Sequence, residues 1–252
     1  MNIIVPLRQV PDLVEELEIE SGGKDLDREW LKFKVNEFDD HALEEALCFK
    51  EDHGGQVIAI ALDANDADKA LYAAAAKGAD RVIKITGNFE GQVASRTAAK
   101  AMANVIAQLE WNMVFAGVQA VDERDGQVGV LLAHFLGVPH VSVVTGVSNS
   151  SGTLEIHKEY GGGIIAEFEV APPVVLGIQA ARQTPRYVPV AKVRRAMRST
   201  DLEEMDAGDV SVNVGSQVTR MYKPEAGGRA EMLEGSAEEV AAKLAEIIRS
   251  KV

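Results

Sequence analysis

Short, nearly continuous apolar runs alternate with amphipathic segments over the first 144 residues of the chain. Such runs predict strands covered on both faces, and apolar stripes at helical spacing predict the helices that cover them. The predicted strands are 2–7, 57–62, 81–85, 113–116 and 139–144, and predicted helices begin near 36, 65, 94 and 127. Strands and helices that alternate over short connections predict a doubly wound α/β fold with a mostly parallel sheet and right-handed crossovers.

Two stretches depart from this alternation. Within residues 14–35, apolar residues alternate on both sides of Ser21-Gly22-Gly23-Lys24, which predicts a small hairpin insertion. After Gly146 the predicted strands 154–159, 164–170 and 174–178 follow one another across glycine turns and without helices. We therefore expect these three strands to be antiparallel additions to the same sheet.

The C-terminal part of the chain has no apolar core of its own. Residues 182–198 contain six basic and no acidic residues, 201–209 contain five acidic residues, and 236–252 form an amphipathic helix. We predict two regions: a nucleotide-binding α/β domain at 1–180, with the insertion at about 14–35, and a docking loop with a C-terminal arm at 181–252. The arm is expected to pack on a partner subunit, because its apolar stripe has no partner in the sequence before it.

Composition narrows the class of protein. The 252 residues carry a formal net charge of −13, which argues against general binding to nucleic acid or anionic lipid. A single cysteine excludes an intramolecular disulfide and any all-cysteine metal site. No apolar run approaches the roughly 20 residues of a membrane span, and the opening MNIIVPLRQV does not resemble a signal peptide. We expect a cytoplasmic protein with no integral membrane segment.

Candidate binding residues follow the ends of the predicted parallel strands, where ligands bind in open α/β sheets. The most informative segment is Asp125-Gly126-Gln127-Val128-Gly129, because a glycine before a helix start leaves free N–H groups for an anion. The same segment is also consistent with a helix cap and a packing glycine. Asn36 fits an ordinary N-cap, with Asp39 completing a variant capping box, or a hydrogen bond to a nucleotide.

Other chemistry is less well supported. Ser21–Asp25 is similar to the pyrophosphate loop of ATP-dependent ligases but fits a hairpin turn better. The five histidines lack zinc spacing, and no catalytic residue or metal site is predicted. The basic residues of 182–198, with the turn Thr184-Pro185-Arg186-Tyr187, suit either a solvated loop and helix or contact with an acidic partner.

Several sequence blocks, in order, resemble the β subunit of electron transfer flavoproteins over essentially the whole chain. They are IIVPLRQVPD, VNEFDDHALEEALCFKE, AAAAKGADRVIKI, VFAGVQAVDERDGQVG, VAPPVVLGIQ, TPRYVPVAKV and the tail RMYKPE with AEMLEG. The resemblance implies a heterodimer with an α subunit that holds most of the FAD. It also implies an adenine nucleotide in the β subunit, either AMP or, in bifurcating members, a second FAD.

By matching positions, the resemblance implies a nucleotide site and a docking region. The implied cofactor-binding residues are Pro6, Asn36, Glu37, Phe38, Asp39, Leu62, Gly117, Gln119, Ala120, Asp122, Asp125, Gly126, Gln127, Val128 and Gly129. The implied docking residues for a transiently bound flavin dehydrogenase are Arg182, Pro185, Arg186 and Tyr187.

Departures from the family pattern leave alternatives open. Gln127-Val128-Gly129 is similar to bifurcating members, whereas Ala94-Ser95-Arg96-Thr97-Ala98 departs from them, so AMP and a second FAD both remain candidates. Arg182 stands where members that serve acyl-CoA dehydrogenases have a leucine, which implies a different partner surface. The expected function is to shuttle electrons between a dehydrogenase and an acceptor. The alternative is a standalone adenine-nucleotide sensor of the universal-stress type.

Overall fold

A computed structural model of the chain describes residues 1–29, 31–89, 93–123, 125–211, 218–224, 230 and 232–251. The helices and strands, in chain order, are β1 (Asn2–Pro6), β2 (Gln9–Pro11), β3 (Phe33–Val35), α1 (Glu37–His53), β4 (Gln56–Leu62), α2 (Ala67–Lys77), β5 (Arg81–Thr86), α3 (Ser95–Ile106), β6 (Met113–Gly117), α4 (Val128–Leu136), β7 (His140–Ser150), β8 (Thr153–Tyr160), β9 (Ile164–Val170), β10 (Val174–Ile178), α5 (Val190–Ser199), β11 (Leu202–Asp206) and α6 (Ala237–Lys251).

The predicted α/β fold with a mostly parallel sheet is confirmed. The main sheet has the strand order β11-β5-β4-β1-β6-β10-β7-β8-β9. β1 pairs in parallel with β4 on one side and with β6 on the other. From β1 the chain adds β4 and β5 on one side and then returns to place β6 on the other, so the strand order reverses between β1 and β6.

Helices cover both faces of the sheet, as the uninterrupted apolar strands require. On one face, α1 and α2 pack Leu43 and Leu71 against strand residues such as Ile3. On the other face, α3 and α4 pack Ile106 and Leu132 in a second core cluster with the neighbouring strand residue, Ile4. Successive residues of β1 thus pack into the core clusters on opposite faces of the sheet, as expected from the two-residue period of a strand.

The insertion forms a hairpin, as predicted. Ile19 and Leu26 form an antiparallel bridge, and the backbone N–H of Glu20 donates to the carbonyl of Asp25 at 3.0 Å. Sequence analysis did not predict the flanking antiparallel pair, in which β2 residues Gln9–Pro11 lie opposite β3 residues Phe33–Val35. These two short strands tie the base of the insertion to the segment that follows β1.

The expectation for the third added strand was wrong. β8 and β9 are antiparallel additions, but β10 lies between β6 and β7 and is parallel to both. All five β10 residues are buried, which is typical of a central parallel strand and not of an antiparallel edge.

A further strand was not predicted. β11 lies in the acidic segment 201–209 and pairs in parallel with β5 at the edge of the sheet. Its carboxylates face cations of β5: Glu203 pairs with Arg81 at 2.7 Å and Glu204 with Lys84 at 3.0 Å. Two of the five carboxylates of this segment are therefore neutralised across the strand pair.

The chain divides into two compact units, Met1–Arg220 and Met221–Val252. The first contains the sheet and α1 to α5. In the second, α6 begins with a capping box, in which Ser236 and Glu239 exchange hydrogen bonds of 2.8 and 3.3 Å. No α6 side chain is buried, and Leu244, Ile247 and Ile248 are exposed. Among the described residues, no helix combines the length and the apolar character that crossing a membrane requires.

Candidate functional site

An open cleft lies where the carboxyl ends of β1, β4 and β6 meet. Its empty volume is about 940 Å³, including the part open to solvent. Pro6, Leu62 and Gly117 each end one of these strands and line the cleft. This is the position beside the reversal of strand order where open α/β sheets bind ligands.

Gly117 lets the first turn of α1 approach the end of β6 closely. A Cβ atom at Gly117 would lie 2.3 Å from Oδ1 of Asp39 and 2.8 Å from the backbone nitrogen of Asp39. Any residue larger than glycine would therefore push α1 away from the sheet at the cleft.

Asn36 begins α1 as predicted, but the predicted capping box with Asp39 is wrong. The Asn36 side chain makes no cap hydrogen bond, and its Nδ2 instead donates to the carbonyl of Gln119 at 2.8 Å. Asp39 accepts from the backbone N–H of Arg8 at 2.8 Å. Both side chains thus join α1 to the loops that follow β1 and β6.

Burial raises the pKa of Asp39 to about 7, despite hydrogen bonds from Asn36 and from the backbone of Arg8 and Gly117. Burial also raises the pKa of Glu123 to about 7, where the charge of Arg8 acts in the opposite direction. The cleft therefore contains two carboxyl groups that titrate near neutral pH.

Arg8 crosses the cleft to the loop between β6 and α4. Its guanidinium pairs with Asp122 at 3.0 Å and with Glu123. Oδ1 of Asp122 and Oε1 of Glu123 are nevertheless buried without a hydrogen-bond partner among the described residues. This loop therefore presents unsatisfied acceptors.

The N-terminus of α4 offers donors on the same loop. Gly126 has a φ of 62°, a left-handed conformation that favours glycine, and Gln127 gives the helix no side-chain cap. The first turn of α4 contains no acidic residue. Its N–H groups and its positive dipole end can therefore receive an anion.

The cleft brings together eleven of the fifteen predicted cofactor-binding residues. They are Pro6, Asn36, Asp39, Leu62, Gly117, Gln119, Ala120, Asp122, Gly126, Gln127 and Val128. The other four do not line it. Glu37 and Phe38 lie in the first turn of α1, Asp125 accepts from Ser95 at 3.4 Å, and Gly129 packs beside His140.

The fifteen predicted cofactor-binding residues leave out several residues that line the cleft. Among them are Arg8 and Gln9 after β1, Arg28 in the hairpin, Asn65 before α2 and Glu123. Arg8 and Gln9 were detectable, since both lie in the segment directly after the first predicted strand. Arg28 was not, because only the folded hairpin brings it to the cleft, where its Nη1 donates to Oδ1 of Asn65 at 2.7 Å.

The predicted docking residues lie beside α1. Arg182 pairs with buried Glu45 at 2.9 Å and with Asp52 at 2.5 Å. Arg186 pairs with buried Glu44 at 2.9 Å and with Glu51 at 2.8 Å. Pro185 is half-buried, whereas Tyr187 is 84% exposed. Both arginines therefore hold the segment before α5 on α1.

One group of side chains has the composition of a metal site. Glu155 and His157 of β8 and Glu167 of β9 bring their ligand atoms within 4.8 Å of one another. His157 lies directly opposite Glu167, and all three side chains are at least 44% exposed. Such exposed groups are common in proteins that bind no metal, and this one lies outside the residues that line the cleft.

The chain is similar to known proteins over its whole length. The family model "Electron transfer flavoprotein domain" matches residues 26–210. A protein of Methylophilus methylotrophus named electron transfer flavoprotein subunit beta is 33% identical over 260 residues, covering 98% of each chain. A protein of the same name from Clostridium acetobutylicum is 34% identical over 250 residues, covering 96% of this chain and 95% of its own.

Proposed function

This chain belongs to the β subunits of the electron transfer flavoproteins, and from that premise we propose that its cleft binds an adenine nucleotide within a heterodimer that carries electrons. The observation that carries the proposal is the position of the cleft, at the reversal of strand order with the uncapped N-terminus of α4 at its edge. Full-length similarity to β subunits favours this function over a standalone sensor.

The polar groups of the cleft fit a nucleotide. Asp122, Glu123 and Gln9 each contribute a buried acceptor oxygen without a partner among the described residues. The first turn of α4 contributes donors and attracts negative charge. A ligand that satisfies both sets carries hydroxyl or amino donors together with a phosphate, which describes the adenylate common to AMP and FAD.

Each part of the cleft has a separate task in this proposal. Gln127 and Val128 hold phosphate with their backbone N–H groups. Arg8 fixes the loop that carries Asp122, while Asn36 ties that loop to α1. The redox chemistry is that of FAD, which we propose is held mainly by the α subunit.

Two exposed apolar surfaces suit contact with an α subunit. α6 exposes Leu244, Ile247 and Ile248 on one face of an amphipathic helix. β9 is the last strand of the main sheet and exposes Ile164 and Ile165. An exposed strand edge and an uncovered helix stripe both favour association. We propose that the region 181–252 serves as the docking loop and the partner-binding arm.

The donor dehydrogenase is proposed to dock transiently near Arg182, Pro185, Arg186 and Tyr187 and the adjoining α5. Lys192, Arg194 and Arg195 of α5 are exposed and make no ion pair among the described residues. They give an otherwise acidic protein a basic surface, which favours an acidic partner face. The proposed location of the complex is the cytoplasm.

Co-expression with an α subunit tests the proposal. We expect a yellow heterodimer that releases adenine nucleotide on acid treatment. One AMP and one FAD per heterodimer would assign AMP to the cleft, whereas two FAD and no AMP would assign a second FAD and the bifurcating type. A colourless monomer that does not bind the α subunit would contradict the proposed heterodimer. A heterodimer with a single FAD and no other nucleotide would contradict the proposed nucleotide site in the cleft.

A further inference from the structure

Gln9 has an unsatisfied acceptor inside the cleft. The residue follows β1, is 5% exposed and lines the cleft. Its Nε2 donates to the carbonyl of Asp66 at 3.1 Å, whereas its Oε1 is buried with no partner among the described residues. Buried amide oxygens are normally hydrogen-bonded, so an unsatisfied one at a residue that lines a cleft suits a donor on a bound ligand.

The surroundings of Gln9 fix the direction of that acceptor. The carbonyl of Asp66 can only accept, so it selects Nε2, and reversing the amide would place two oxygens against each other. Asn65 and Asp66 both have positive φ values, 47° and 60°, in the loop between β4 and α2. Arg28 of the hairpin donates to Asn65 of the same loop, which adds a second hydrogen bond that holds the loop in place. The Oε1 atom is therefore preorganised.

The strand order separates Gln9 from the phosphate end of the cleft. Gln9 and Asp66 follow β1 and β4, whereas α4 follows β6 on the other side of β1. α2 has Asp68 in its first turn and α4 has no acidic residue there, so an anion favours α4. With the phosphate at α4, the opposite end of the nucleotide extends toward Gln9.

Resting on the proposed nucleotide site, we propose that Gln9 determines the choice of base: its Oε1 accepts a hydrogen bond from the exocyclic 6-amino group of the purine. A 6-oxo purine would present an acceptor to an acceptor, leaving both unpaired. Sites built around one hydrogen bond reject analogues that lack the matching group. Gln9 thereby selects adenine over hypoxanthine and guanine.

Calorimetric titration of the full-length chain with AMP, IMP and purine riboside 5′-monophosphate tests this assignment. The last ligand lacks any group at position 6. We expect AMP to bind about 10-fold more tightly than either analogue, the ratio that one net hydrogen bond gives. In Gln9→Met, a near-isosteric variant, we expect the affinity for AMP to fall about 10-fold and the affinities for the three ligands to agree within about 3-fold. Gln56→Met, the same change at an exposed position that does not line the cleft, keeps the preference for AMP.

The outcomes separate this inference from the function on which it rests. If the wild-type chain binds AMP and the analogues equally, or if Gln9→Met keeps the preference, Gln9 does not read the base although the site binds nucleotides. If 2′-deoxy-AMP binds to the wild-type chain more weakly than AMP, and this difference disappears in Gln9→Met, Oε1 contacts the ribose and the inference is overturned. If no nucleotide binds to the wild-type chain, the proposed site fails and the inference fails with it. The ligand series on wild-type protein decides the matter even if the variant does not fold.

Discussion

Arg186 anchors the segment before α5 to a carboxylate that water does not reach. Glu44 is 0% exposed, and Arg186 donates to it from Nε at 3.0 Å, from Nη2 at 2.9 Å and from its backbone N–H at 2.9 Å. Gln183 adds one further hydrogen bond, of 2.7 Å. Replacing Arg186 by alanine would leave the Glu44 carboxylate buried without its cation.

Removing one partner of a buried ion pair costs about 3–5 kcal/mol, mainly because the remaining charge is left uncompensated. The Arg186 side chain is 29% exposed, so part of its charge is screened and we expect the lower end, about 3 kcal/mol. A unit of this size loses about 2–4 °C of melting temperature per kcal/mol. Arg186→Ala should therefore melt about 6–12 °C below the wild-type chain.

The loss should depend on pH. Burial raises the pKa of Glu44, but hydrogen bonds from Arg186 and Gln183 outweigh it and hold the pKa below its usual value. In the wild-type chain this carboxylate stabilises the fold above its unfolded pKa, and that contribution is lost as the pH falls through the folded pKa. Without Arg186 the folded pKa rises, so the variant is penalised at neutral pH and approaches the wild-type chain as the pH is lowered toward 4.

Urea denaturation of the full-length chain, followed by circular dichroism at pH 7 and pH 4.5, measures both effects. Arg195→Ala is the matched control, because Arg195 lies on exposed α5 and makes no ion pair among the described residues. It should change the free energy of unfolding by less than about 0.5 kcal/mol. A loss of under about 1 kcal/mol for Arg186→Ala at pH 7, or a loss equal to that of the control, would refute the buried ion pair.

The remaining predictions concern the cleft and the C-terminal helix. Burial raises the pKa of Asp39 to about 7, so the folded chain binds the proton of this carboxyl group more tightly than the unfolded chain, and stability falls as the pH rises from about 4 to 7. Asp39→Asn should therefore make the midpoint of urea denaturation less dependent on pH over that range. An unchanged pH dependence would contradict the burial of Asp39. Gly117→Ala should cost about 1–3 kcal/mol of stability and abolish nucleotide binding in calorimetry, because the new Cβ would lie 2.3 Å from a side-chain oxygen of α1. In the control, Gly161→Ala, the new Cβ has no neighbouring atom within 4 Å, so this variant should bind nucleotide as the wild-type chain does. Ile248→Asp in α6 should prevent co-purification with a tagged α subunit, since Ile248 is 61% exposed on an apolar stripe. The control, Glu246→Gln, should co-purify as the wild-type chain does. If both variants still co-purify with the α subunit, α6 is not part of the interface.

The sequence was sufficient to predict the parallel core and the general position of the cleft. Apolar runs such as Ile3–Val5 and Val57–Leu62 identify strands covered on both faces, and strand ends in such a sheet meet at one edge. The direction of β10 could not be obtained in this way. Its apolar run, Val174–Ile178, is typical of a strand buried on both faces, but the run alone does not fix the direction of the strand, which is seen only in its parallel pairing with β6 and β7.

The missed cleft residues share a physical cause. Gln9 begins the three-residue strand β2, and Arg28 and Asn65 lie outside the helices and strands, so periodicity carries no signal at these positions. Their contacts depend on the hairpin folding back over the loop before α2, which brings Arg28 to Asn65, 37 positions away. A pattern search along the chain detects residues within one motif, but it does not detect a side chain that reaches the site from an insertion.

The positions of charged residues along the sequence also do not show which cations are available to a partner. The segment 182–198 holds six cations in a chain of net charge −13, and counted along the sequence all six are available to a partner. In the folded chain Arg182 and Arg186 are paired with carboxylates of α1, two of which are buried. The four cations without an ion pair among the described residues all lie on α5. A partner with an acidic face would therefore gain more from α5 than from the preceding turn, because pairing with Arg182 or Arg186 would first have to displace a carboxylate of α1.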